Sequence, residues 1–269
     1  MKKIIAIMLA LMLALTGIAV FTACDGGKTP EETTPEATTP AETEPAAPAV
    51  LKMATNAYFQ PYEFYKDGKI VGIDAEIAAA IAEKLGMTLE IVDMEFDSII
   101  TAVDAGSVDF GMAGMTITEK RLEQVDFSIS YANGVQTIIV KEDSAITSVD
   151  DLFAEGASYK IGVQLGTTGD IYATGDFGAE NVTTYSNGNE AVLALLGGSV
   201  DCVIIDNEPA KALVAANGGL KILDTAYANE DYAICVKKGN SELLAKIDAA
   251  IKELTADSTI DAIIAKYIK

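Results

Sequence analysis

Ala113-Gly114-Met115-Thr116-Ile117-Thr118-Glu119-Lys120-Arg121 follows an apolar run, Val108 to Met112, that reads as a buried strand. Alternation places Thr116 and Thr118 on one side of an extended segment. Thr118 can also cap a helix that opens at Glu119. A helix N-terminus, a hydroxyl and a guanidinium fork then converge on one point. That set suits a small carboxylate: the fork binds two oxygens and free backbone N–H groups add donors. A capped helix with a surface arginine has the same pattern, so the surrounding chain must discriminate.

Outward from this stretch, short apolar strands alternate with helical patterns, which predicts an α/β fold with mostly parallel sheets. Leu51 to Thr55 reads as a strand. Asp74 is expected to cap a helix with Ile77, Ala78, Ile81 and Leu85 on one face, ended by Gly86. Leu89 and Ile91 alternate in the next strand. Asp97 is expected to cap a helix carrying Ile99, Ile100 and Val103, ended by Gly106. Later strands are Tyr159 to Val163, Val182 to Tyr185 and Cys202 to Ile205. Later helices are Asn187 to Leu196, Pro209 to Ala216, Ser241 to Leu254 and Thr259 to Tyr267.

Composition narrows the chemistry. The chain has 269 residues, room for two modest domains. It has no histidine, which excludes Ser-His-Asp or Cys-His nucleophile pairs and His-based metal sites. Its formal charge of −21 argues against binding to nucleic acid, whose phosphates would repel it. Of three cysteines, Cys202 and Cys235 each lie in a buried-strand pattern. They read as two free thiols, with a disulfide between them open in an oxidising compartment.

Lys2 and Lys3 precede an apolar run from Ile4 to about Val20, the pattern of a secretory signal over residues 1–23. Residues 24–50 form a linker. Five of the seven prolines lie between Asp25 and Ala49 among Thr, Ala and Glu, so this stretch lacks the apolar bulk for a core and reads as disordered. Fully extended as polyproline it would reach about 75 Å.

Several segments resemble the extracellular solute-binding proteins that deliver polar amino acids to ABC transporters. They are Ala54-Thr55-Asn56-Ala57-Tyr58-Phe59-Gln60-Pro61-Tyr62-Glu63-Phe64, Val71-Gly72-Ile73-Asp74-Ala75-Glu76-Ile77, Phe96-Asp97-Ser98-Ile99-Ile100, Gly106-Ser107-Val108-Asp109, the opening Thr-x-Thr-x-x-Arg stretch, Gly166-Thr167-Thr168, Val200 to Asp206, and Tyr232 to Gly239. Each is weak alone; together, in family order and spacing, they cover nearly all of Leu51 to Lys269. Phe21-Thr22-Ala23-Cys24 resembles a bacterial lipobox, with Phe21 in place of the usual leucine, which implies a lipidated Cys24.

The resemblance implies a two-lobed, periplasmic-binding-protein-like fold with a hinge of two crossing segments, near Tyr131–Val135 and Ala228–Tyr232. Lobe one would comprise residues 51–134 and 232–269, and lobe two residues 135–231. That division puts Cys202 and Cys235 in different lobes. The ligand would lie between the lobes, at the carboxyl ends of strands. By family position, Arg121 would pair the ligand carboxylate with help from Thr116, and Gly166-Thr167-Thr168 would add donors from the other lobe. Asp206 would accept from the ammonium with help from the Gly114 carbonyl, although a helix cap is the plainer role for it. Phe59 and Phe96 would sandwich the side-chain stem. Gln164, Asn56, Tyr58 and Ile205 would surround the variable end. Asn56 stands where relatives that bind basic or amide side chains often have aspartate, which points to a neutral polar amino acid such as glutamine or cystine.

The resemblance further implies a monomeric protein outside the cytoplasmic membrane, held to the membrane by its lipid and partnered by a membrane permease. It implies no cofactor, no metal and no enzymatic activity. Asp93-x-Glu95-x-Asp97 with Asp104 imitates a calcium loop, but Ser98 stands where that loop needs glycine. Gly162 to Gly169 lacks the spacing of a nucleotide loop. Two rivals share the fold: a ligand-sensing receptor subunit, and a dehydratase for prephenate-like acids using Asp170 or Glu208 as its general acid.

Overall fold

Strands with one or both faces apolar collect here into two separate sheets. The computed structural model describes residues 48–268, so the expected signal peptide, Cys24 and the linker through residue 47 lie outside it. In spatial order the first sheet holds Thr88–Asp93, Val50–Thr55, Phe110–Gly111, Cys235–Lys237 and Val125–Phe127. The second holds Val182–Tyr185, Ile161–Gln164, Cys202–Asp206, Ala132–Lys141 and Leu220–Ile222, with Ala228–Tyr232 also on the long strand Ala132–Lys141. Three strands of each sheet are parallel. The strands flanking the passages between sheets run antiparallel to their neighbours. A small antiparallel sheet, Tyr58–Phe59, Glu63–Lys66 and Lys69–Val71, links the first strand to the first helix.

The helices cover both faces of each sheet. Helix Ile73–Lys84 buries Ile73, Ile77, Ala78 and Ile81, the one-sided spacing its sequence predicts. It packs with Ser241–Ala256 and Thr259–Tyr267 on one face of the first sheet. Helix Ile99–Ala105 closes the other face with Ala54, Val108, Met115 and Cys235. On the second sheet, Gly188–Gly197 and Asn207–Ala216 cover one face and Thr168–Phe177 the other. Each fully buried Ile, Leu or Phe contributes about 1.5–3 kcal/mol, so these layers outweigh any single surface ion pair, worth about 0–1 kcal/mol.

Two cap expectations fail, each for its own reason. Asp74 lies inside helix Ile73–Lys84, which Gly72 caps, and its carboxylate instead accepts from Gly114 N–H and Tyr131 O–H, both at 2.8 Å. Asp97 falls in a 3-10 turn, Phe96–Ser98, and the following helix is capped by Ser98 without a side-chain bond. At Asp74 tertiary contacts claim the side chain; at Asp97 the 3-10 turn moves the helix start past it. Gly86 and Gly106 do end their helices with positive φ. The Val108–Met112 pattern is buried at 108, 110 and 112, but only Phe110–Gly111 joins the ladder. Cys202 and Cys235 are buried free thiols in different sheets.

The chain crosses between the sheets twice, from Phe127 to Ala132 and from Tyr232 to Cys235. The two crossings pair with each other: Ala132 lies opposite Tyr232 and Tyr131 N–H donates to Tyr232 O. The boundaries expected at 134/135 and 231/232 thus fall inside paired strands, because the link between the sheets is itself a ladder. Among the described residues no helix is long and apolar enough to cross a membrane.

Candidate functional site

Strand ends from both sheets meet over one cleft. The first sheet and its loops bring Asn56, Phe59, Phe96, Gly114, Thr116 and Arg121; the second brings Gln164, Thr167, Thr168 and Asp206. These ten residues, each singled out from sequence, line one cleft, together with Ala113 and Glu63. The groups close on one another so tightly that the space left between them is only about 10 Å³, room for about one water.

Arg121 owes its position to the short helix Glu119–Leu122, which Thr118 caps by accepting from Arg121 N–H at 3.2 Å. Arg121 is 5% exposed, and its guanidinium stands 5.3 Å from the Phe96 ring centroid. Nη1 donates to Thr116 O at 2.7 Å and Nη2 donates to Gly166 O across the cleft at 3.0 Å. Burial lowers its pKa, partly opposed by Glu230. A cation buried against carbonyls and a ring retains strong attraction for a carboxylate, since little water competes.

At the start of helix Thr168–Phe177, Thr167 Oγ1 accepts from Asp170 N–H at 3.3 Å and donates to Gln164 O at 2.8 Å. Its hydroxyl is thereby occupied, so its contribution to the cleft is through the backbone. Asp206 makes no cap bond with its side chain. Its carboxylate accepts from Gln136 Nε2 at 2.7 Å and from the Tyr232 hydroxyl. Gln136 Nε2 also donates to Glu230 at 2.9 Å. Burial, then the nearby Glu230, push the Asp206 carboxyl above its ordinary range, while the two donors oppose this. A buried acid so placed gains from an arriving cation.

Phe59 packs on Tyr62 with ring centroids 5.7 Å apart, and Gly114 lies under its ring. Gly114 has φ +52, and a Cβ there would come 2.8 Å from the Phe59 ring. Asn56 and Gln164 meet across the cleft, Gln164 Nε2 donating to Asn56 Oδ1 at 2.9 Å. Asn56 Nδ2 is fixed by Met94 O at 2.8 Å. Two residues expected at the variable end stand elsewhere. Tyr58 is half exposed and lines a neighbouring groove, and Ile205 packs into the core, since alternation along each strand turns them from the cleft.

Glu63 was missed in the sequence. It opens the strand Glu63–Lys66 and is fully buried, and neither of its oxygens meets a hydrogen-bond donor. Its one sequence signal is an acid amid Phe59, Pro61, Tyr62 and Phe64. Among the described residues no cluster of Cys, Asp or Glu has metal-binding geometry.

A family model described as bacterial extracellular solute-binding proteins, family 3, matches residues 51–269. The arginine-binding extracellular protein of Bacillus subtilis (strain 168) is 32% identical over 224 residues, 81% of this chain and 85% of that one. An ancestral arginine-binding protein, solved bound to glutamine, is 42% identical, with a TM-score of 0.77 over 82% of this chain and 99% of that one. The same ancestral protein bound to arginine superposes with a TM-score of 0.76 at 42% identity and the same coverage.

Proposed function

This chain belongs to the bacterial extracellular solute-binding proteins, family 3, and we propose that it delivers one amino acid, held between its two lobes, to the permease of an ABC importer. In this reading Arg121 binds the α-carboxylate and Asp206 the α-ammonium. Phe59 and Phe96 flank the stem of the side chain. The observation that carries the reading is the meeting of a buried arginine and a buried aspartate, from opposite sheets, on one small cleft. Only a ligand bearing both charges satisfies both partners at once, and its presence holds the lobes together. Cys24 tethers the protein, by its lipid, to the outer face of the cytoplasmic membrane.

The side-chain preference follows from the charges that remain. Once Arg121 and Asp206 are engaged, Glu63 is the one ionisable residue left among those lining the cleft. A cationic side chain such as that of arginine fits it, and the Bacillus subtilis relative is named for arginine. Asn56 alone favours a neutral ligand, but it shares the cleft with this acid. The amide pair Asn56–Gln164 supports glutamine as the second reading. Calorimetric titration with arginine, glutamine and cystine tests the proposal. Arginine is expected to bind most tightly; tighter binding of glutamine or cystine would return the site to the neutral reading.

A further inference from the structure

Glu63 has a buried neighbour of the same sign. Asp74 is also fully buried, and its Oδ1, like both oxygens of Glu63, faces no donor from any other residue. The two carboxyls stand close enough for each to act on the other, and with no other donor at hand a proton on one of them lets them hydrogen-bond. Asp74 Oδ2 accepts from Gly114 N–H and Tyr131 O–H, donors that favour a carboxylate there. Glu63 has no such support, so the proton resides on Glu63. The other groups that act on Glu63 are Asp206 and Asp93, both acids, and no base stands among them. Tyr62 and Tyr131 are also close, and burial holds both phenols neutral. Burial, then Asp74, hold Glu63 well above the usual carboxylate range, and burial raises Asp74 to about 6.

We propose that Glu63 and Asp74 act as one acid pair sharing a single proton, and that the protonation of this pair sets whether the site prefers a cationic or a neutral polar side chain. This rests on the amino-acid reading above, in which Glu63 is the ionisable group left for the ligand's side chain. With one proton the pair carries one negative charge. A cationic side chain draws that charge onto Glu63 while the proton passes to Asp74, so no proton need leave the protein. A neutral amide instead accepts from the Glu63 hydroxyl. When the pair takes a second proton it becomes neutral and the cation loses its partner.

The sign follows: preference for the cation is full above the pKa of Asp74 and declines as pH falls through about 6. Arginine and citrulline make the test, because they share head group and length and differ in one charge. Effects of Asp206 and Arg121 act on the shared head and cancel in the ratio of the two affinities. Calorimetric titration of the full chain from pH 5 to 8 is expected to show a citrulline-to-arginine Kd ratio that is level above pH 6. Below it the ratio should fall, approaching about tenfold per pH unit. Glu63→Gln, whose amide can still donate to Asp74, should weaken arginine and make the ratio independent of pH. A ratio that does not change with pH in the unaltered protein, or a slope that survives in E63Q, would overturn the pair's role. Binding of citrulline but never arginine would overturn it as well. Failure to bind any amino acid at any pH would instead sink the receptor reading, and the pair's role with it.

Discussion

At the scale of single residues, the site is a set of buried charges that each lack a full partner. Arg121 is satisfied by carbonyls and a ring, neither of which neutralises it. Arg121→Ala should therefore weaken amino-acid binding by about 3–5 kcal/mol, the usual cost of breaking a buried ion pair, or roughly two to four decades in Kd. Unchanged affinity by calorimetry would remove Arg121 from the carboxylate role. Asn56→Asp puts a further acid in the cleft, keeps the acceptor for Gln164 Nε2 and loses the donor to Met94 O. It should shift ranking further toward cationic ligands by about tenfold, and a fixed ranking would mean that Asn56 does not meet the side chain. Thr116, Thr118 and Arg121 were legible because their spacing relative to a strand and a helix start carries geometry. Glu63 was not, because a buried acid and a solvated acid look alike until its neighbours are known.

Element boundaries followed apolar periodicity closely where packing and pattern agree, as in helix Thr259–Tyr267 and strand Val182–Tyr185. They failed at Asp74, where a distant partner claims the side chain that would otherwise cap, and at Asp97, which sits inside the 3-10 turn that precedes its helix. The paired crossing strands were placed by resemblance; no local pattern distinguishes a strand that ends in one sheet from one that continues to another. Gly134 lies in this ladder, and a Cβ there would meet the Tyr232 hydroxyl at 2.2 Å. Tyr232 in turn donates to Asp206. Gly134→Ala should cost about 1–3 kcal/mol of stability by overpacking and weaken ligand binding through Asp206. Thermal melting and calorimetry on the same variant check both, and unaltered binding would detach the crossing from the ammonium site. Cys202 and Cys235 belong to different sheets, so reductant should leave the melting temperature unchanged. Their thiols should react with a thiol reagent only after unfolding.

For the whole molecule, two cross-cleft bonds tie the lobes together: Arg121 to Gly166 O and Gln164 to Asn56. Both residues of each pair lie on strand ends or helix starts at the cleft, so ligand binding and lobe closure draw on the same groups. The α/β class was legible from the alternation of strand and helix patterns, and the ten cleft residues from the family resemblance. The ligand's side-chain class was not, because it depends on one buried carboxyl and its proton. The central claim is that the folded module binds a free amino acid. The most direct test is thermal melting of residues 51–269, unfolded and refolded to strip bound ligand, against each of the free amino acids in turn. A ligand at a hundred times its Kd adds about 2.7 kcal/mol, so a selective rise in melting temperature is predicted for arginine and a few related side chains. No rise with any amino acid would contradict the account.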